Sequence, residues 1–206
     1  MKTIYLIRHS GPFVDIDNYK DYPNISWDNY NRNMILNTEG ENKAKKLSNN
    51  IEFANIDEIY SADSARAIGT AKYIAEKNNL SIKLNEKINE RNLGIKTISE
   101  LPDNFNKKSF DEKDYKIFNG ESLNEVDERM NNFINDIIHN SYNKTVIVTH
   151  GIILLSFLSN LCDFSYDGKV FFIKYKNNIL VNGNPKNPDV FKLTIDNDKI
   201  INIENI

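Results

Sequence analysis

The 206-residue chain is poor in several of the residues that carry specialised chemistry: it has one cysteine, three histidines, five prolines and a single tryptophan. One cysteine closes no internal disulfide and builds no cysteine-based zinc site. No apolar run approaches the roughly 20 residues that cross a bilayer. The first such run, Ile4–Ile7, stops at Arg8, too short and too soon charged for a secretory leader. Together these absences predict a cytoplasmic protein with no membrane partner. Neither sign of charge dominates, because 26 Lys and Arg face 29 Asp and Glu for a net charge of −3, which removes any global drive toward nucleic acid. There is no GxxxxGK[ST] loop, no GxGxxG fingerprint and no internal repeat. What remains is 40% apolar residues, 11% of the chain aromatic, enough to bury one sizeable core. At roughly 100–200 residues per domain, residues 1–206 read as a single domain.

Along that domain, short apolar runs alternate with helical periodicity. Ile4–Ile7, Ile56–Tyr60, Leu80–Leu84, Thr145–Thr149, Val170–Tyr175 and Val190–Ile195 read as strands, and TVIVT at 145–149 has the unbroken β-branched character of a central parallel strand. Thr38 with Glu41 forms a capping-box pattern ahead of Ala44, Leu47 and Ile51. Asp63 stands as an N-cap for a helix burying Ala67, Ile68, Ala71, Ile74 and Ala75. Ser122 with Glu125 opens a long helix, and Ile152–Leu161 is apolar nearly all round. Two segments, at about 11–35 and 94–119, read as irregular caps. The first carries Phe13, Tyr19, Tyr22, Trp27 and Tyr30, too many aromatics for a flexible linker. Repeated strand-then-helix order predicts an α/β fold: three layers, α/β/α, around a mostly parallel, doubly wound sheet.

Open α/β sheets bind ligands at the carboxyl ends of their strands. The residues just past the predicted strands are Arg8 and His9, then Arg66, Glu90 and His150. Two of the three histidines lie there; the third, His139, falls near a helix C-terminus, where an imidazole serves the terminal carbonyls. Taken singly, each of these residues has an ordinary structural reading, whereas their joint placement is harder to dismiss. Guanidinium groups match phosphate oxygens bidentately, and the helix start after His150 adds backbone amides, so the pocket suits a tetrahedral dianion. Glu90 beside a leaving group would serve as proton donor. A zinc site on His9, His150 and Glu90 is the competing reading, disfavoured by arginines that repel a cation. Lys43, Lys45 and Lys46 read as a solvated helix face, and Cys162 as a small hydrophobe.

These blocks resemble the histidine phosphatase superfamily, the group that includes phosphoglycerate mutase-like phosphatases. IYLIRHS at 4–10 corresponds to its Arg-His-Gly motif, LNTEGENKAKKL at 36–47 to its first helix entry, and SADSARAIGTA at 61–71 to the block delivering Arg66. INERNLG at 88–94 fits the acidic segment, GESLNEVDERM at 120–130 the later helix, and VIVTHG at 146–151 the second histidine. The resemblance implies a phosphoglycerate mutase-like fold and a two-step transfer needing no metal and no cofactor. It makes His9 the nucleophile that is transiently phosphorylated, Arg8, Arg66 and His150 the phosphate-binding groups, and Glu90 the proton donor. Such a nucleophile must be neutral, with a backbone acceptor holding the proton on its other ring nitrogen. One departure stands out: Ser10 replaces the family glycine, which matters if that position needs positive φ or close approach to phosphate.

The implied activity is hydrolysis of a phosphomonoester, on a phosphorylated small molecule or a phosphoprotein. A phosphoglycerate mutase-type phosphotransferase is the alternative, disfavoured by the short segment between Glu90 and Gly120 and by the residues after Ser10. A phosphate-binding module without catalysis is the third reading, opposed by the presence of all five expected side chains. Specificity is expected from the cap segments, whose aromatics either wall the pocket or pack the loop onto the sheet. Lys107, Lys108 and Lys113 alternate with Asp111, Glu112 and Asp114, a mixture that does not predict a polyphosphorylated substrate.

Overall fold

Apolar runs without alternation need cover on both faces of a sheet, and that need sets the architecture. A computed structural model describes residues 1–14 and 24–206. The strands are β1 (Lys2–Arg8), β2 (Glu58–Ser61), β3 (Ile82–Leu84), β4 (Lys144–Thr149), β5 (Asp163–Tyr166), β6 (Phe171–Tyr175), β7 (Asn178–Gly183), β8 (Asp189–Asp196) and β9 (Lys199–Asn205). The helices are α1 (Trp27–Asn33), α2 (Thr38–Leu47), α3 (Ala65–Asn78), α4 (Phe105–Asp111), α5 (Leu123–His139) and α6 (Gly151–Ser159).

The main sheet runs β3-β2-β4-β1-β8-β9. Its first four members are parallel, and β8 and β9 add an antiparallel edge. Register assigns the faces: Tyr5 and Ile59 flank Val146 on one side, and Leu6 and Tyr60 flank Ile147 on the other. Tyr5 meets Phe53, just after α2, at 5.2 Å between ring centroids, whereas Tyr60 meets Phe133 of α5 at 5.1 Å. Helix α2 packs on α3 and α5 on α6, so the helix pairs cover opposite faces and the layers are α/β/α, as expected. Ile4, Leu6, Ile7, Ile59, Val146, Ile147 and Val148 between them are fully enclosed.

Several local expectations need correction. The segment read as an irregular cap at about 11–35 contains α1, held by the Ser26 side chain accepting from the Asn29 N–H and by Asp28 and Arg32 paired one turn apart. The segment 94–119 contains α4 and a 3-10 turn over Ile98–Glu100. Asn37 rather than Thr38 caps α2, accepting from the Gly40 N–H, which frees Glu41 to bind Tyr73 and Lys72 of α3. Ile51 lies outside that helix and is exposed. Ser64, not Asp63, is the N-cap of α3, and its hydroxyl faces the site instead of the helix. In α3, Ile68 is only half-buried, while Arg66 and Thr70 join the buried face. Ser122 and Glu125 form the expected reciprocal box on α5.

Strands β5, β6 and β7 form a separate antiparallel sheet, of which the sequence pattern showed only β6. It leans on β9 through Asn205 Nδ2 donating to Leu180 O (2.8 Å) and Asn178 Nδ2 donating to Ile203 O (3.1 Å). Its inner rings, Tyr166 and Phe171, stack at 3.9 Å and meet Phe110 of α4 edge-on. This sheet and α4 thereby make one wall beside the carboxyl ends of the parallel strands. No helix among the described residues is long and apolar enough to cross a membrane.

Candidate active site

Parallel register delivers the ends of β1 and β4 together: Arg8 lies beside Thr149, and the His9 N–H extends the ladder by donating to Thr149 O (2.9 Å). His9 and His150 therefore emerge side by side, ring centroids 5.2 Å apart. Glu90 belongs to a turn beyond β3 and reaches the same place by two stitches. Thr149 Oγ1 donates to Ile88 O (2.6 Å), and the Asp63 N–H donates to Asn89 Oδ1 (2.7 Å). Arg66, in the first turn of α3, completes the group: Arg8, His9, Arg66 and Glu90 line one cleft, and His150 lies buried against Arg66 and Glu90 at its floor.

Arg66 organises the centre. It is 1% exposed, and its Nε donates to His9 Nε2 (3.1 Å), its Nη1 to the carbonyls of Asn31 (2.7 Å) and Tyr30 (3.1 Å), and its Nη2 to His150 Nδ1 (3.0 Å). A guanidinium only donates, so His9 Nε2 must carry a lone pair and Nδ1 the proton. The Nδ1–H accordingly donates to Ser10 O at 2.8 Å. Burial, with Arg66 and Arg8 behind it, pushes the His9 pKa well below the ordinary imidazole value, and burial with Arg66 does the same to His150. Both rings are thus held neutral. The carboxyl of Glu90 lies 3.6 Å from His150 Nδ1, and burial raises its pKa despite Arg66, the Arg91 N–H, Arg129 and Arg8.

Arg8 enters from the opposite side. Its Nη1 donates to Pro185 O (2.8 Å), while its buried Nε has no hydrogen-bond partner among the described residues. It lies so close to Gly151 that a Cβ there would come within 3.0 Å of that Nε. Ser10 does not sit at positive φ and is fully buried: its N–H donates to Thr70 Oγ1 (2.9 Å) and its hydroxyl to Gly40 O (2.8 Å). The serine therefore ties the His9 loop to α2 without backbone strain. Gly40 is required there, since a Cβ would lie 2.1 Å from Gly11 O.

Further residues support this group, and sequence reasoning missed them. Arg91, 1% exposed, spends its donors on Glu121 O, Ser109 Oγ and Tyr115 O, pinning the 109–121 segment to the Glu90 turn. Arg129 grips both oxygens of Glu121 (2.8 and 3.0 Å) and donates to Lys87 O (2.7 Å), while Glu121 accepts from the Asn92 N–H. An arginine directly after Glu90 was the available signal for Arg91; Arg129 and the carbonyl partners had none.

The cleft encloses about 430 Å³. Trp27 and Tyr30, stacked at 5.9 Å, line it and also pack α1 in place, so both expected roles of the cap aromatics are combined. Phe13 is exposed, and Tyr19 and Tyr22 lie outside the described residues. The mixed charges of 107–114 are largely self-satisfied: Lys107 pairs with Asp111, Lys113 with Asp127, and Lys108 lies over the Tyr115 ring. His139 is exposed, with Nδ1 on Asn135 O, and burial pushes the Cys162 thiol up to about 11, which keeps it protonated and inert. Among the described residues, no group of three or more His, Cys, Asp or Glu could hold a metal ion.

Residues 4–174 match the family model of the histidine phosphatase superfamily (branch 1). Phosphoserine phosphatase 1 of Hydrogenobacter thermophilus is 28% identical over 120 residues, 55% of this chain and 57% of that protein, so the match spans little more than half of the relative. Among solved structures, mycobacterial glucosyl-3-phosphoglycerate phosphatase superposes with a TM-score of 0.70 at 15% identity, covering 93% of this chain and 89% of that one. A phosphoglycerate mutase from Bacillus anthracis superposes at 0.67 and 17% identity, over 100% and 92% of the two chains. At these identities the superpositions bear on fold alone.

Proposed function

Since the chain belongs to the histidine phosphatase superfamily, we propose that it hydrolyses phosphomonoesters through a phosphohistidine on His9, without a metal. The observation that carries this reading is the tautomer of His9. With Nδ1–H committed to Ser10 O, the free lone pair is on Nε2, facing Arg66. Arg66 Nε occupies that lone pair in the free site and marks where an incoming phosphoryl group would sit, trading imidazole for phosphate oxygen.

In the first step the Nε2 lone pair attacks phosphorus and the ester P–O bond breaks, the leaving oxygen taking the proton from Glu90. Arg66, His150 and Arg8 bind the nonbridging oxygens, with the unpartnered Arg8 Nε–H a donor ready for one of them. The dianion offsets the two arginines that keep the rings neutral, so His150 gains a proton and donates to phosphate. In the second step water attacks phosphorus, its proton passes to the Glu90 carboxylate, and the N–P bond breaks to return neutral His9. Glu90 is 14% exposed on its side chain, so water reaches it, which favours hydrolysis over retention of the phosphoryl group.

Incubation with an activated aryl phosphate, and separately with 3-phosphoglycerate plus its bisphosphate, separates the readings. Release of inorganic phosphate is expected in the first; dominant isomerisation in the second would replace hydrolysis by mutase chemistry. Binding of phosphate with no turnover would leave a non-catalytic module.

A further inference from the structure

The phosphate end of the cleft is described above; its other end faces the leaving group and has a different chemistry. The cleft continues into a second cavity of about 460 Å³, the two sharing Leu101, Asn106, Tyr166 and Gly168 in their walls. On the cleft side this end is walled by Leu93, Leu101, Ile98, Leu155 and Phe171, while the second cavity adds the polar Asp103, Asn104, Asn106 and Lys107. Among the described residues, few cations stand there. Arg91 has all its guanidinium nitrogens committed to Glu121, Ser109 and Tyr115, Lys107 is paired with Asp111, and Lys169 stands exposed at the rim, where solvent and salt screen its charge. A leaving group bearing a carboxylate would therefore surrender hydration without gaining an uncommitted, enclosed cation among the described residues lining this end. It would also lie near Glu90.

A second observation points to what does fit. Among the described residues, four buried side-chain polar atoms lack a hydrogen-bond partner, and two belong to residues lining this one cleft: Arg8 Nε, a donor, and Asn187 Oδ1, an acceptor. Both residues meet the same segment, since Arg8 Nη1 donates to Pro185 O, two residues before Asn187. A buried acceptor left unpaired is costly and is commonly satisfied by a ligand. The donor asks for a phosphate oxygen; the acceptor asks for a hydroxyl or amine on the group that leaves.

We infer that the preferred substrate is a phosphomonoester of a neutral alcohol with an apolar or aromatic body and a hydrogen-bond donor near the ester, read by Asn187, and that carboxylated phosphate esters are poor substrates. The inference rests on the hydrolase reading for its choice of site.

The test compares wild-type kcat/KM, and Kd by calorimetry, for 2-phenylethyl phosphate, 2-hydroxy-2-phenylethyl phosphate, phosphoserine and 3-phosphoglycerate, with p-nitrophenyl phosphate as an activated control. The two ring-bearing esters should exceed both carboxylated ones by about tenfold or more. Hydrolysis of the control with equal or better use of a carboxylated ester would overturn the inference and leave the hydrolase reading standing. Absence of any turnover would overturn the hydrolase reading, and the Kd ranking would then decide the inference by the same criterion. In Asn187→Ala, the preference for the hydroxylated ring ester over its deoxy partner should fall about tenfold. An unchanged ratio in a folded variant would remove Asn187 from recognition.

Discussion

The two ends of the cleft are built by different means. The phosphate end grows from the termini of β1 and β4, where parallel register fixes His9 and His150 beside each other, and from one buried guanidinium that bonds to both rings. The leaving-group end is assembled from pieces distant in sequence: Trp27 of α1, Leu101 and Asn106 near α4, Tyr166 and Phe171 of the small sheet, and Asn187 before β8. The first set is fixed by hydrogen-bonded neighbours in one sheet and a shared guanidinium, whereas the second meets only where separate helices, strands and loops pack together. The difference predicts that changes at one end cost chemistry and changes at the other cost selectivity.

Four substitutions probe that division. The largest effect is expected from His9→Ala, which should lower kcat by roughly 10⁴-fold or more on every ester; a loss confined to particular leaving groups would break the contrast. Glu90→Gln comes next, with a loss of about 10²–10⁴-fold on alkyl esters and a much smaller one on an activated aryl ester, whose leaving oxygen needs no proton. The pH profile sharpens this assignment. The proposed mechanism needs His9 as the free base and Glu90 as the acid, so kcat/KM should rise with pH through a limb below the ordinary imidazole range and fall through a limb above the ordinary carboxylate value. Glu90→Gln should erase the second limb. At the other end, Leu101→Ala should lower kcat/KM for ring-bearing esters by about tenfold, while inhibition by inorganic phosphate persists. The smallest effect belongs to Ser10→Gly, which removes the hydroxyl bond to Gly40 O and should cost about 1 kcal/mol of stability, read as a lower Tm.

The same division governs what the sequence made legible. Unbroken runs such as TVIVT and IYLI betray central parallel strands, and a residue just past such a strand is located by the strand itself; His9 and His150 were found that way. Glu90 was located by the family resemblance and by its place after a strand, although the stitches that carry it to His150 run through carbonyls and an asparagine that leave no pattern. Helix α1, WDNYNRN, has no aliphatic periodicity, because its buried face is only Trp27 and Tyr30. Strands β5, β7 and β9 mix Asn, Asp and Lys with apolar residues on half-exposed surfaces, where alternation is weak. The one-residue displacements of the caps, Asn37 for Thr38 and Ser64 for Asp63, arise because neighbouring Asn, Thr, Ser and Asp are equivalent capping types until tertiary bonds choose between them. The leaving-group wall was illegible because its residues meet only through tertiary packing.

The central claim is that His9 Nε2 receives the phosphoryl group. Wild-type protein mixed with an activated phosphomonoester and quenched in alkali within one turnover should carry phosphate that is acid-labile and alkali-stable, on the peptide containing His9 by mass spectrometry, and absent in His9→Ala. Phosphate on any other residue, or steady turnover that survives in His9→Ala, would contradict it.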